Sequence, residues 1–205
     1  MPLIIIDYGM SNLGSIHRAL EECGANDVRI SDNPESLRTA DKIILPGVGA
    51  FGDGIEQLRS RGWVDVLREE ALDNKIPLLG ICLGMQLLAT EGYENGVQPG
   101  LDLIPGSVIK LIPTKTQEKI PHVGWNEVHY ARDNELFKGI KNGRDFYFVH
   151  SYHFVPNDEA DIIGTTPYCG RFVSAVSRGN IFGTQFHPEK SIPSGFDLIR
   201  NFLES

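Results

Sequence analysis

Short apolar runs alternate with amphipathic stretches over residues 1–90, and this alternation limits the fold more than any other feature. Residues 3–7, 42–45 and 77–81 are continuous apolar runs, typical of parallel strands buried on both faces, and residues 28–31 form a shorter strand-like run. Between them, residues 13–23, 54–60, 63–74 and 83–89 show helical spacing. The order predicts a mostly parallel open sheet with helices on both faces.

Closely spaced strand-like segments replace this pattern after about residue 92. Because the segments leave no room for helical crossovers, the C-terminal half is predicted to be largely antiparallel, with a final helix over residues 195–203. No linker divides the chain, so residues 1–205 are predicted to form a single α/β domain with its chemistry at the carboxyl ends of the parallel strands. The predicted strands of this half are residues 108–111, 123–130, 146–154, 162–166, 172–177 and 181–185.

Charge and cysteine content exclude several classes of protein. Lys and Arg number 19 against 27 Asp and Glu, a net charge of −8, which argues against nucleic acid or an anionic membrane as the main partner. Three cysteines cannot all pair, and their spacing fits neither a disulfide framework nor a zinc site. No apolar run approaches the ~20 residues of a membrane span. We therefore expect a cytoplasmic protein that holds no metal and no cofactor.

Cys82 stands in the pattern G-x-C-x-G, between a predicted strand and a predicted helix. In a nucleophile elbow the reactive residue occupies a strained turn and needs small neighbours, which Gly80 and Gly84 supply. The helix that begins just after it directs free N–H groups towards the sulfur. An isolated cysteine is more often a small buried hydrophobe, and we interpret Cys23 and Cys169 in this way. The context of Cys82 favours a nucleophile.

A thiol nucleophile needs a base and a group that orients the base. The segment His187-Pro188-Glu189 is the best candidate, because residues two apart in an extended chain share a face and Glu189 can hold the imidazole of His187. His150 and His153 flank the Ser151-Tyr152 pair, and for these two histidines binding roles and plain packing are equally consistent.

The glycine-rich segment Gly47-Val48-Gly49 follows the predicted strand over residues 42–45. Its backbone N–H groups, together with the N–H of Leu83, are candidates for an oxyanion hole. Phosphate binding is disfavoured here, because neither G-x-G-x-x-G nor the P-loop pattern is present.

Three segments carry a family resemblance: residues 46–49, the run G-I-C-L-G-M-Q at residues 80–86, and F-H-P-E-K-S at residues 186–191. Together they resemble the class I, triad-type glutamine amidotransferases. Further matches are D-Y-G at residues 7–9, P-H-V-G-W-N at residues 121–126 and F-V-H-S-Y at residues 148–152. The chain is most similar to the glutaminase subunits of histidine biosynthesis, and the resemblance spans essentially its whole length.

The resemblance implies a role for each matching residue. Cys82 would attack the side-chain amide carbon of glutamine, His187 would carry the proton to departing ammonia, and Glu189 would orient His187. Water would then hydrolyse the glutamyl thioester. The implied substrate-binding residues are Gln86, His150, Ser151 and Tyr152, and the implied oxyanion groups are Gly47, Val48, Gly49 and Leu83, with the Gly47–Val48 peptide contributing after a flip.

A partner is also implied, because ammonia released into water is protonated and lost as a nucleophile. The family partner is a (β/α)8-barrel cyclase in a heterodimer, which uses the ammonia to form imidazole glycerol phosphate and aminoimidazole carboxamide ribonucleotide. Asn12, Trp125, Tyr147 and Lys190 match positions that the family places at the interface. A core Trp and a solvated Lys are the plain structural alternatives for these positions.

Three other functions compete with this interpretation. Extra residues between the F-H-P-E-K-S motif and the last helix, together with Tyr152-His153, are similar to paralogues that supply ammonia for acetamidino-sugar formation in surface-polysaccharide synthesis. A free-standing γ-glutamyl cysteine hydrolase would be fully active alone. A non-catalytic binding module need not retain Cys82, His187 and Glu189 together.

Overall fold

The computed structural model describes residues 2–130 and 133–205, so the predicted domain over residues 1–205 includes three positions outside the described residues. The α-helices in the described part are α1 (Leu13–Glu22), α2 (Phe51–Ser60), α3 (Trp63–Arg68), α4 (Leu83–Leu87) and α5 (Ser194–Glu204). Short 3-10 helices cover Pro34–Thr39, Glu135–Phe137, Glu159–Asp161 and Pro188–Lys190, and a π-helical turn covers Glu69–Asp73.

The strands of the described residues belong to three sheets. In chain order they are β1 (Leu3–Ile6), β2 (Val28–Ser31), β3 (Lys42–Leu45), β4 (Leu78–Ile81), β5 (Glu91–Gly92), β6 (Gln98–Pro99), β7 (Gly106–Lys110), β8 (His122–Val128), β9 (Arg144–His150), β10 (Tyr152–Pro156), β11 (Ile162–Thr166), β12 (Phe172–Arg178) and β13 (Ile181–Thr184).

A seven-stranded sheet in the order β11-β12-β13-β4-β3-β1-β2 forms the centre of the protein. Its strands from β13 to β2 run parallel, and every residue of β1, β4 and β13 is buried. This confirms the mostly parallel sheet that the apolar runs predicted. The sheet brings the ends of β3, β4 and β13 side by side, where residues 46–49, Cys82 and residues 185–189 follow.

Apolar side chains fill both faces of this sheet, as the α/β pattern predicted. One face packs against α2 and α3, with Phe51 and Trp63 fully buried. The other face packs against α1 and α5, whose buried residues include Ile16 and Phe202. No helix among the described residues is long and apolar enough to cross a membrane.

Most strand pairs of the C-terminal half are antiparallel, as predicted, although β13 also pairs in parallel with β4 and β5 pairs in parallel with β7. The strand predicted over residues 146–154 is instead two strands, because the extended segment is interrupted at Ser151. There β9 ends its pairing with β8, and β10 begins to pair with β7. A single apolar pattern does not reveal a change of partner.

Candidate active site

Cys82 lies in the tight turn between β4 and α4, in the strained backbone conformation that the flanking glycines predicted. Its φ is +55° and its ψ is −110°, a region that side-chain-bearing residues rarely occupy. A Cβ on Gly80 would lie 2.8 Å from backbone atoms of Gly84 and Met85, and one on Gly84 would collide with the carbonyl oxygen of Leu45. The turn can therefore form only with glycine on both sides.

The Cys82 thiol is mostly buried, with 6% of the residue exposed. Its sulfur lies 3.9 Å from the carbonyl oxygen of Val149 and 3.8 Å from the side-chain nitrogen of Gln185. The Val149 carbonyl oxygen can accept a hydrogen bond from the thiol, and the Gln185 nitrogen can donate a hydrogen bond to the sulfur.

His187 and Glu189 form a buried pair beside the elbow. The Nδ1 of His187 lies 2.8 Å from Oε1 of Glu189, and the two side chains are 4% and 2% exposed. The backbone N–H of His187 donates to the Tyr147 carbonyl oxygen at 2.9 Å, and the Ser191 hydroxyl donates to the His187 carbonyl oxygen at 2.6 Å. These backbone bonds hold the imidazole in place from both sides.

The electrostatics of His187 link it to the thiol. Burial disfavours the charged imidazole, but the interactions with Cys82 and Glu189 outweigh burial and raise the pKa of His187 above its usual range. The Nε2 atom is buried and makes no aligned hydrogen bond within the described residues. The raised pKa of His187 favours transfer of the thiol proton to its imidazole.

Two of the candidate oxyanion donors, the N–H groups of Val48 and Leu83, are engaged within the protein. The Leu83 N–H donates to the carbonyl oxygen of Gly47 at 3.3 Å, and the Val48 N–H donates to the carbonyl oxygen of Met10 at 2.8 Å. Gly49 has a φ of +114°, which favours glycine. In this conformation neither N–H faces an open site.

The residues assigned to substrate binding have separate positions. Gln86 donates from its side-chain nitrogen to the Tyr152 carbonyl oxygen at 2.9 Å and to Oε1 of Gln185 at 3.0 Å. His150 is buried, and its ring contacts the His122 ring, with Nε2 and Nδ1 3.0 Å apart. Ser151, at the strand break, accepts the Leu111 N–H through its carbonyl oxygen at 2.9 Å. Tyr152 is half-buried.

Two residues were missed by the sequence analysis. Gln185 is fully buried and touches the sulfur, and His122 is buried against His150. The one available signal for Gln185 was its position at the end of the strand predicted over residues 181–185, two residues before His187. Nothing in the local pattern distinguished His122 from a packed core histidine.

Three of the four predicted interface residues lie together on the surface. Trp125 is 56% exposed, and its ring meets the Tyr147 ring edge-on at 6.0 Å between centroids. The Lys190 ammonium group lies over the same Tyr147 ring, 5.6 Å from its centroid. Asn12 is exposed at the start of α1, a helix that packs against the 3-10 helix carrying Lys190. The alternative of a core position for Trp125 is wrong.

The part of the chain that the structure describes offers no evident set of metal ligands. No group of three or more His, Cys, Asp or Glu side chains there is arranged to hold a metal ion. The reactive groups that this corner of the sheet does bring together are the thiol, the imidazole and the carboxylate.

Solved structures with the same fold include two amidotransferases. A structure described as glutamine amidotransferase gives a TM-score of 0.76 at 20% identity, covering 98% of this chain and 97% of that one. A glutamine amidotransferase from Thermotoga maritima gives a TM-score of 0.68, also at 20% identity, covering 100% of this chain and 96% of that one. At these identities the likeness shows the fold.

Sequence relatives cover nearly the whole chain at much higher identity. The imidazole glycerol phosphate synthase subunit HisH of Moorella thermoacetica is 49% identical over 99% of this chain and 94% of its own length. The HisH subunit of Sulfurimonas denitrificans is 46% identical over 98% of this chain and 97% of its own length. The family model "Glutamine amidotransferase class-I" matches residues 4–205. The chain therefore belongs to the class I glutamine amidotransferases, within the branch of the imidazole glycerol phosphate synthase subunit HisH.

Proposed function

We propose that the protein hydrolyses glutamine to glutamate and ammonia as the glutaminase subunit of an imidazole glycerol phosphate synthase in histidine biosynthesis. The observation that carries the proposal is the elbow thiol of Cys82 beside the buried His187–Glu189 pair. The naming of its full-length relatives as HisH favours this pathway over acetamidino-sugar formation and over a free-standing hydrolase. We treat residues 1–205 as one amidotransferase domain, since the family match runs over residues 4–205.

The proposed reaction begins at the sulfur. Cys82 attacks the side-chain amide carbon of glutamine while Nε2 of His187 takes the thiol proton. The Glu189 carboxylate stabilises the imidazolium that forms, through the contact at Nδ1. Collapse of the tetrahedral intermediate breaks the C–N bond, and His187 returns the proton to the leaving ammonia. A water molecule, deprotonated by His187, then cleaves the thioester and releases glutamate.

The tetrahedral intermediate carries a negative oxygen that needs two donors. We assign this role to the N–H groups of Val48 and Leu83, both of which are engaged elsewhere in the free protein. A flip of the Gly47–Val48 peptide would release the Leu83 N–H and turn the Val48 N–H away from Met10. Such a flip separates a resting state from an active state without moving the Cys82, His187 and Glu189 side chains.

Hydrogen bonds already formed within the protein limit what Gln86 and His150 can offer a bound glutamine. Both amide hydrogens of Gln86 have partners, so this side chain can offer glutamine only its Oε1 as an acceptor. The buried ring of His150 supports the Ser151–Tyr152 backbone, which is left to contact the substrate.

A second subunit is proposed to receive the ammonia. We place a (β/α)8-barrel cyclase on the surface formed by Trp125, Tyr147 and Lys190, with Asn12 at its edge. The exposed side chains of Trp125 and Val123 support this surface, because aromatic and apolar groups in such positions are typical of interface cores. We place the heterodimer in the cytoplasm, where the free cysteines stay reduced.

Glutamine hydrolysis measured with and without the barrel protein and its nucleotide ligand tests the proposal. The free chain should turn over slowly, and the complex should turn over faster by orders of magnitude. Cys82→Ala should abolish glutaminase activity but leave ammonia-driven synthesis by the complex intact, whereas Cys169→Ala should change neither. Glutaminase activity that survives Cys82→Ala would refute the assigned nucleophile, and equal rates with and without the barrel would favour a free-standing hydrolase.

A further inference from the structure

The Cys82 sulfur has a neighbour that the reaction described above does not use. The side chain of Gln185 is fully buried, and its Nε2 lies 3.8 Å from the sulfur. Gln185 follows the last residue of β13, and its own backbone N–H is bonded to the Ser174 carbonyl oxygen at 2.9 Å. The backbone therefore places the Gln185 side-chain amide next to the end of β4, where Cys82 follows.

The orientation of the Gln185 amide follows from its other neighbours. A backbone carbonyl oxygen only accepts hydrogen bonds, so the Gln86 atom 2.9 Å from the Tyr152 carbonyl oxygen must be Nε2. The second hydrogen of that nitrogen points to Gln185, 3.0 Å away, which must present its Oε1. The remaining nitrogen of Gln185 then faces the sulfur. If Gln86 were turned over, two oxygens would face each other at the Tyr152 carbonyl.

A second series of hydrogen bonds begins at the Tyr152 carbonyl oxygen that accepts from Gln86. The carbonyl oxygen of Tyr152 also accepts from Nδ1 of His150 at 2.8 Å, which leaves Nε2 of His150 as an acceptor for His122 at 3.0 Å. Nε2 of His122 in turn faces the side-chain nitrogen of Asn126 at 3.4 Å. Asn126 is itself oriented, because its Oδ1 accepts the Glu127 N–H at 2.9 Å. Backbone groups at both ends thus determine every donor and acceptor.

His122 and His150 must both be neutral for these donor and acceptor assignments to hold. Burial lowers the pKa of His122 to about 4 and that of His150 to about 3, so both rings are neutral at neutral pH. At neutral pH both rings can therefore hold the tautomers that these hydrogen bonds require.

We propose that Gln185 is a further catalytic residue, whose side-chain N–H donates to the Cys82 sulfur and stabilises the thiolate during attack on glutamine. Gln86 acts as its positioning residue. The inference rests on the proposed function for its consequence in turnover. The Val149 carbonyl oxygen, on the other side of the sulfur, can accept a thiol proton but cannot stabilise an anion. A hydrogen bond to a charged group is stronger than one to a neutral group, so the contact tightens as the thiolate forms.

The test compares two variants that make the same chemical change at different places. Gln185→Glu keeps the shape and the acceptor for Gln86 but places a carboxylate oxygen against the sulfur. Gln117→Glu makes the same change on the surface and serves as the control. Alkylation of Cys82 by iodoacetamide, mapped by mass spectrometry, should reach half its maximal rate about one pH unit higher in Gln185→Glu than in the wild type. The midpoint of Gln117→Glu should not move.

A second variant keeps the inference testable if Gln185→Glu does not fold. Gln185→Met has nearly the same length and no donor, and its kcat for glutamine should fall about ten- to a hundredfold with KM unchanged. If iodoacetamide reaches the buried sulfur too slowly, the ultraviolet absorbance of the thiolate gives the ionised fraction of Cys82 instead. The Cys82→Ala variant supplies the background absorbance. Unchanged alkylation and absorbance profiles in the folded variants would overturn the role of Gln185. A wild-type complex with no glutaminase activity would instead refute the proposed function, and the alkylation result would still stand.

Discussion

The two halves of the candidate active site, the His187–Glu189 pair and the loop after β3, differ in whether their groups are already placed for the proposed reaction. At the end of β13, the imidazole of His187 is already held by Glu189 at 2.8 Å and lies beside the thiol, in a buried setting. At the end of β3, the Val48 N–H is bonded to the Met10 carbonyl oxygen, and the Leu83 N–H is bonded to the Gly47 carbonyl oxygen. The groups proposed to move protons are in place, whereas the groups proposed to stabilise the oxyanion are engaged elsewhere.

Hydrogen bonding explains how the two halves can differ so much within one site. The His187–Glu189 contact joins two side chains of one short buried segment, so few rearrangements can break it. The loop is held by two backbone bonds, each worth about 1 kcal/mol net, and one peptide rotation exchanges both. A device that switches ammonia production on and off is therefore better placed in the loop than in the His187–Glu189 pair.

Removing the base should have the largest effect on activity. His187→Asn deletes the proton acceptor, and glutamine turnover should fall about 10²–10⁴-fold. Because this change affects the side that is already assembled, the loss should be equally large with and without the barrel protein. Steady-state glutaminase assays of both forms measure this. A loss confined to the complex would mean that His187 belongs to the switch.

Removing an oxyanion donor should have the next largest effect. Val48→Pro has no N–H to offer, and turnover of the complex should fall about 10²–10³-fold. Alkylation of Cys82 should be unchanged, because the thiol side is not altered. Val48→Ala keeps the N–H and serves as the control, so its turnover should stay near the wild-type value. Equal losses in the two variants would show that the Val48 side chain, and not its N–H, is needed.

The two buried histidines behind the thiol side should make stability depend on pH. Between about pH 4 and 6.5, His122 and His150 are neutral in the folded protein, whereas the unfolded chain binds protons on both. The free energy of unfolding should therefore fall as the pH is lowered through this range. His187, whose pKa is raised, stays protonated in the folded protein and acts in the opposite sense near the top of this range, where the unfolded chain loses its proton. Denaturant titrations of the wild type and His122→Asn should give a shallower pH slope for the variant.

The smallest expected effect is at Tyr8, beneath the loop. Its hydroxyl is fully buried against Gly47 and has no hydrogen-bond partner within the described residues. Burial raises the pKa of this phenol well above its usual range. Tyr8→Phe removes the unpaired group and should stabilise the free protein by about 1 kcal/mol, measured by denaturant unfolding. A destabilised variant would mean that the hydroxyl has a partner, such as a bound water, in solution.

Sequence reasoning succeeded where the governing interactions are local. The apolar runs predicted β1, β3 and β4 to within one residue, because burial on both faces requires uninterrupted apolar side chains. The glycines at residues 80 and 84 predicted the elbow, because only glycine avoids the collisions that a Cβ would make there. The break at Ser151 was missed, because two strands with different partners share one apolar pattern.

Within the site, the chain itself determined which chemical groups are present and which are neighbours along the backbone: a thiol on a strained turn, and an imidazole two residues from a carboxylate. Only the tertiary structure decided how those groups are used. It set Gln185 against the sulfur, turned the His150 ring towards His122, and engaged the N–H groups of Val48 and Leu83 elsewhere. The physical reason is that a hydrogen bond is directional and acts over about 3 Å, so its partners are determined by which distant segments the sheet brings into contact.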